Sequence, residues 1–297
     1  MLYGFVNWTL DNNFAAFGWF HLMWLGITVL AVVLVCVFLR KTHEKQNKWL
    51  IFGAGILLLI LELIKQFLWM WNPVSGWGYY WSGFPWHLCS IPMFLFFIIP
   101  FLKDGKIKRA MCSFVGTFGL LGGVIVMLYP ATVLNTSLII ITIQTMVHHA
   151  TLVIVGVYVT VSGRVKLDRK NLKETLLSAF IIFAIAVSVA LVLNTLFYFF
   201  RDYLGGNGSF NLFYISPFQY TVIPILDIIH EFSPTLAIFV YVIVASLVSF
   251  GLLFAIRFGL NVHSNMMKKR KTTIEMDETI KIECENAAAE TVATTDE

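Results

Sequence analysis

The chain is poor in charge. Of its 297 residues only 13% are Asp, Glu, Lys or Arg, whereas 58% are apolar. That balance excludes a water-soluble domain of this size and points to an integral membrane protein. Cysteine is scarce too. Cys36, Cys89, Cys112 and Cys284 have neither paired nor metal-like spacing, so neither a disulfide framework nor a metal site is expected. The opening stretch MLYGFVNWTLDNNF lacks a basic start and a small-residue cleavage site. The apolar residues 22–39 are therefore expected to stay as a first span and not to leave as a signal peptide. No inverted repeat is apparent, which disfavours a transporter built from two opposed halves.

What the chain does have is apolar runs long enough to cross roughly 30 Å of hydrocarbon. They lie at 17–39, 49–71, 86–102, 110–129, 138–161, 174–199 and 234–260. The expected fold is all-α: a bundle of seven transmembrane helices over residues 1–263, followed by a disordered cytoplasmic tail at 264–297. The third run is the shortest and opens with polar residues.

Basic residues set the expected orientation, because they are retained on the cytoplasmic side of short loops. Loops 40–48, 103–109 and 162–173, with the end of the last span and the tail, hold 19 of the 21 Lys and Arg. The exceptions are Lys65, inside a span, and Arg201, near the end of the sixth. The N-terminus is thus expected outside and the C-terminus inside. The other connections, 72–85 and 201–233, are rich in aromatics, Gly and Pro. The crowd of Trp69, Trp71, Trp77, Trp81 and Trp86 reads either as an interfacial aromatic belt or as a lid over an outward-opening cavity.

Polar side chains inside a bilayer are costly and mark function by default. They are His21 in the first span, Glu62, Lys65 and Gln66 in the second, His87 and Cys89 in the third, Gln144, His148 and His149 in the fifth, and Asn194 in the sixth. Asp227, with His230 and Glu231, precedes the last span. With the spans oriented as above, one polar cavity open to the outer side would collect them. Glu62, Lys65 and Gln66 share a helix face, as a self-neutralising ion pair or as a working one. Gln144 and His148 face together, with His149 turned about 100° away.

Cys89 stands apart from the other cysteines. Pro85 is a favoured helix-starting residue, which places Cys89 in the first turn, where unpaired N–H groups would stabilise a thiolate or an oxyanion. Pro92 cannot donate to the Leu88 carbonyl and makes the helix irregular beside it. His87, about 200° around a regular helix from Cys89, points away from it, so His148 or His149 is the geometrically easier base. A cysteine with a histidine, oriented by a group such as Glu62 or Gln144, is the minimum for nucleophilic acyl transfer.

The stretch FPWHLCSI (84–91) resembles the Pro-x-His-Leu-Cys signature of the YwaF-like integral membrane proteins. These are bacterial seven-span proteins related to an animal family of cysteine-dependent phospholipid acyltransferases. FGLLGGVIVMLYP (118–130) resembles the family's Gly-rich fourth span and MVHHATLVIVGVYV (146–159) its histidine-bearing fifth. NLFYISP and ILDIIHEFSP resemble its segment before the last helix. The segment NLFYISPFQYTVIP departs from a pattern with Tyr directly after the Asn and Lys before the Pro. The resemblance implies an enzyme that moves a fatty acyl chain between membrane phospholipids and lysophospholipids without a soluble cofactor or nucleic-acid partner. It makes Cys89 the nucleophile, His148 or His149 the base, and His87 part of the site's lining. Two other readings fit the same residues: a transporter or receptor using Glu62, Lys65 and the histidines, and a lipid hydrolase with water as acceptor.

Overall fold

A computed structural model describes residues 16–39, 44–72, 76–130, 134, 139–204, 210–221 and 223–293. The opening stretch to residue 15, Arg40 and Lys41, and the side chains of Lys45, Lys268, Lys271, Lys281 and Cys284 lie outside what is described.

Among the described residues the regular secondary structure is helical, apart from one two-residue antiparallel pairing of Trp71–Asn72 with Gly76–Trp77. Among the described residues, six helices are long and apolar enough to cross a membrane. They are α1 (Trp19–Leu39), α2 (Glu44–Met70, with its apolar part Lys48–Met70), α4 (Lys106–Leu128), α5 (Ile139–Val161), α6 (Leu172–Leu204) and the first part, Pro234–Met267, of α8 (Pro234–Ala293). The apolar helix α3 (Ile91–Phe101) is shorter, and α7 (Leu226–Phe232) is a short helix before α8.

The helices divide by burial. In α4 and α5, 72% of the apolar window is buried, against 11% in α1, so α4 and α5 form the centre and α1 lies at the rim. Leu30, Val37 and Phe38 on α1 and Leu63 and Phe67 on α2 are exposed, as side chains facing acyl chains must be. Between α4 and α6, Phe118 stacks on Phe183 with ring centroids 4.1 Å apart. Small residues bring α4 and α5 close: a Cβ on Gly156 would lie 2.9 Å from Leu120 Cβ and 3.2 Å from the Val115 carbonyl. At Val115–Gly119 the helix widens into a π turn, where Thr117 Oγ1 donates to the Ser113 carbonyl at 2.7 Å.

Two features differ from expectation. The third apolar run was read as a helix from residue 86, but α3 begins at Ile91 and Trp86–Ser90 form a turn. The His87 carbonyl accepts from both Ser90 N–H (2.8 Å) and Ile91 N–H (3.2 Å), which closes that turn before the helix starts. The polar sequence from 264 was read as a disordered tail, whereas the backbone of α8 is helical to Ala293. Its Lys, Glu, Met and Ala content gives that stretch high intrinsic helix propensity. Residues 1–253 form one compact unit and 254–297 a second.

Candidate active site

The site is built around the turn that carries Cys89. Its thiol is free and half-buried. The main chain of Cys89 rests on α4, where a Cβ on Gly122 would be 3.3 Å from Cys89 Cα and 3.4 Å from its nitrogen. A Cβ on Gly123 would lie 2.8 Å from the His149 carbonyl oxygen, and Pro92 packs on Gly119. The Gly-rich segment LLGG is therefore the wedge that lets the cysteine turn and the histidine helix approach the same stretch of α4.

From α5, His148 reaches across to this turn. Its Nε2–H donates to the main-chain carbonyl of Cys89 at 3.0 Å; a carbonyl only accepts, so the proton is on Nε2 and the lone pair on Nδ1. That Nδ1 is buried and has no partner among the described residues. His149 is buried beside it, with ring centroids 5.2 Å apart, and its Nδ1–H donates to the Thr145 carbonyl at 2.7 Å. Gln144, also buried, accepts a long bond of 3.4 Å from Thr145 Oγ1.

A second layer comes from α2. Lys65 Nζ pairs with Glu62 Oε2 at 2.8 Å and lies 5.1 Å from the Trp69 ring centroid. Gln66 Nε2 donates to Glu62 Oε1 at 2.7 Å and to the Gly83 carbonyl at 2.5 Å, tying the pair to the segment that leads to Cys89. Lys65 and Glu62 are close enough to act electrostatically on Cys89, His87 and His148 alike.

A loop after α6 closes another side. Asn194 clamps it as a peptide would: its Nδ2 donates to the Leu212 carbonyl at 3.1 Å and its Oδ1 accepts the Leu212 N–H at 2.8 Å. Phe213 and Tyr214 then adopt φ of 58° and 60°, a left-handed conformation that costs non-glycine residues energy and persists only where the surroundings enforce it. The enforcing contacts are these: the Phe213 N–H donates to His87 Nδ1 at 3.3 Å, and the His87 ring packs on Tyr214 at 5.4 Å. Asn211 accepts the Ser216 N–H at 2.8 Å, and His230 donates to the Ser216 carbonyl at 2.9 Å. The aromatic segment 77–86 packs onto the same region, with Trp81 on Phe197 and Phe210, and Trp86 Nε1–H donating to the Ala186 carbonyl at 3.2 Å.

The structure thus gathers Cys89, His87, His148, His149, Glu62, Lys65 and Gln66 around one turn, with Asn194 acting at one remove through its loop. It does not bring all the buried polar residues into a single cavity. His21 is spent elsewhere: it accepts the Phe17 N–H at 3.0 Å and donates to the Met127 carbonyl at 2.8 Å, pinning α1 to the end of α4. Asp227 accepts the Ile228 N–H at 2.9 Å in the first turn of α7. Asn211 and Tyr214 had not been singled out from the sequence; Asn211 opens the NLFYISP segment, which was the available signal.

A family model described as the TMEM164 family matches residues 16–253. The match takes in the cysteine turn, the Gly-rich wedge, the histidines of α5 and the clamped loop. No curated protein and no solved structure matches the chain.

Proposed function

The chain belongs to the TMEM164 family of membrane proteins, and from that premise we propose that it is a membrane acyltransferase using Cys89 as nucleophile and His148 as base. The observation that carries this reading is the seating of His148. Nε2 is held by the main-chain carbonyl of the residue that carries the free thiol, so the imidazole is fixed against the cysteine turn with its lone pair on a buried Nδ1 that has no partner among the described residues. A nucleophile and a base in a defined tautomer are the minimum that acyl transfer requires.

In this scheme the Cys89 thiol proton passes to His148 Nδ1 and the sulfur attacks the ester carbonyl of a phospholipid. The tetrahedral oxyanion collapses, the C–O bond breaks, and the lysolipid oxygen leaves with the proton from the imidazolium. The thioester is then attacked by the hydroxyl of an acceptor lysolipid, whose proton returns through His148 to the sulfur. The aromatic 77–86 segment and the clamped loop shield the thioester from water, which separates transfer from hydrolysis. Seven crossings with α3 as the short one, N-terminus outside and C-terminus inside, fit the distribution of basic residues. That orientation puts the cysteine turn towards the outer side.

The transporter reading has less support, because Glu62 is already neutralised by Lys65 and held by Gln66. The test is acyl exchange in proteoliposomes. Cys89→Ala is expected to lower exchange by about a thousandfold or more while the protein stays folded, and Glu62→Gln to act more weakly. Full exchange in Cys89→Ala refutes the reading. Solute flux that fails in Glu62→Gln and persists in Cys89→Ala favours the transporter.

A further inference from the structure

Far from Cys89, the structure carries a lipid-facing groove that the acyl-transfer scheme does not use. It lies between the first turns of α6 and the part of α8 around Phe250, within the first compact unit, and is an open trough with a volume of about 520 Å³. That is in the range of small-molecule pockets, roughly 300–1,000 Å³. Its walls are Leu172, Leu176, Leu177, Phe180 and Phe250, all apolar, and its mouth carries Arg169 and Lys173. No carboxylate lines it.

The neighbouring acids do not line the groove. Glu174, on the other flank of α6, faces Arg109 at 3.9 Å, and both carboxylate oxygens of Asp168 accept from Asn171 Nδ2 at 3.0 and 2.9 Å. Neither Arg169 nor Lys173 has an ion-pair partner among the described residues, and both are exposed. Two cations at the mouth of an apolar trough whose lining holds no acid fit a ligand with a negative head and a hydrocarbon body. The cleft on the opposite flank, lined by Lys106, Arg109, Lys166 and Glu174, has a volume of about 10 Å³ and its own internal acid, so it has no room for such a ligand.

The groove is also remote from the chemistry. Leu176 and Asn194 lie on one helix, about 27 Å apart at 1.5 Å per residue, and it is the Asn194 end that holds the loop against His87.

We propose that this groove binds one anionic phospholipid, its phosphate on Arg169 and Lys173 and an acyl chain along Leu172, Leu176, Phe180 and Phe250, as a site distinct from the one where acyl transfer occurs. Basic pockets between helices on the cytoplasmic side select anionic headgroups in this way. The site does not depend on Cys89 and stands or falls separately from the acyl-transfer reading.

The test is native mass spectrometry of the full-length protein, extracted from bilayers containing equal phosphatidylglycerol and phosphatidylcholine. One phosphatidylglycerol is expected to stay bound, in the wild type and equally in Cys89→Ala. Arg169→Gln combined with Lys173→Gln is expected to lower its retention about tenfold or more. Leu176→Trp, which fills the trough and keeps both charges, is expected to lower it as well, so the result does not rest on one variant's folding. Arg169→Lys is expected to retain most of it. Equal retention of phosphatidylcholine, or wild-type retention in both the double variant and Leu176→Trp, overturns the proposal.

Discussion

His148 and Cys89, 59 residues apart in sequence, are joined by a 3.0 Å hydrogen bond from the imidazole Nε2–H to the main-chain carbonyl. The bond places the histidine by the backbone of the cysteine's turn, not by its thiol. His148→Ala leaves that carbonyl without its donor and is expected to cost about 1–3 kcal/mol of stability as well as activity. His148→Gln keeps an amide donor and is expected to recover part of the stability without recovering acyl transfer. Thermal unfolding in detergent beside an acyl-exchange assay reads the two effects separately.

Neighbouring glycines of α4 separate position from stability. An added Cβ at Gly123 meets the His149 carbonyl oxygen at 2.8 Å and Leu152 Cβ at 3.0 Å, both fixed in α5. Gly123→Ala is therefore expected to lose about 1–3 kcal/mol through overpacking. At Gly122 the Cβ meets only the Cys89 turn, at 3.3 Å, which can yield by a few tenths of an ångström. Gly122→Ala is expected to fold and to lose roughly tenfold or more in exchange rate, because the nucleophile is displaced. Unfolding and rate measurements on the pair check the contrast.

Asn194 supports the strained loop with two bonds to one residue. Asn194→Ala is expected to remove both, leaving Leu212 N–H and C=O unpaired in a buried site at a cost of about 1–3 kcal/mol. Hydrogen exchange checks it: the amides of Leu212 and Phe213 should exchange faster, while those of α4 keep their protection.

Outside the spans, the Asn171 side chain holds the Asp168 carboxyl below the usual carboxylate range. A depressed folded pKa favours the fold above the unfolded value, about 3.9, and that contribution is lost as pH falls through the folded value. Asn171→Ala should move the Asp168 titration up towards the ordinary range. Measuring exchange of the 166–172 amides as the pH is lowered checks it, with the variant loosening at a higher pH than the wild type.

Hydropathy made the long helices legible, because a lipid-facing helix needs little beyond length and apolar composition. The start of α3 was not legible. Pro85 is a good helix opener, yet the His87 carbonyl accepts both Ser90 and Ile91 N–H groups and the Cys89 carbonyl is taken by His148, so tertiary bonds set that boundary. Helix spacing had placed His87 away from Cys89. In the structure its Nδ1 accepts from Phe213, a contact that no local pattern encodes. Depth reasoning grouped the α2 and α5 polar residues and His21 with the cysteine. It could not tell His21 from them, because a histidine satisfied by two main-chain groups looks the same in sequence as one at a reactive centre.

Cys89 is tested most directly by mass spectrometry of the full-length protein after incubation with a phospholipid of defined acyl chains. The peptide containing Cys89 is expected to gain the mass of one acyl group through a hydroxylamine-labile thioester, and Cys89→Ala is expected to show no such adduct. Acyl exchange proceeding at full rate in Cys89→Ala, with Cys89 unmodified in the turning-over wild type, would contradict a nucleophilic Cys89.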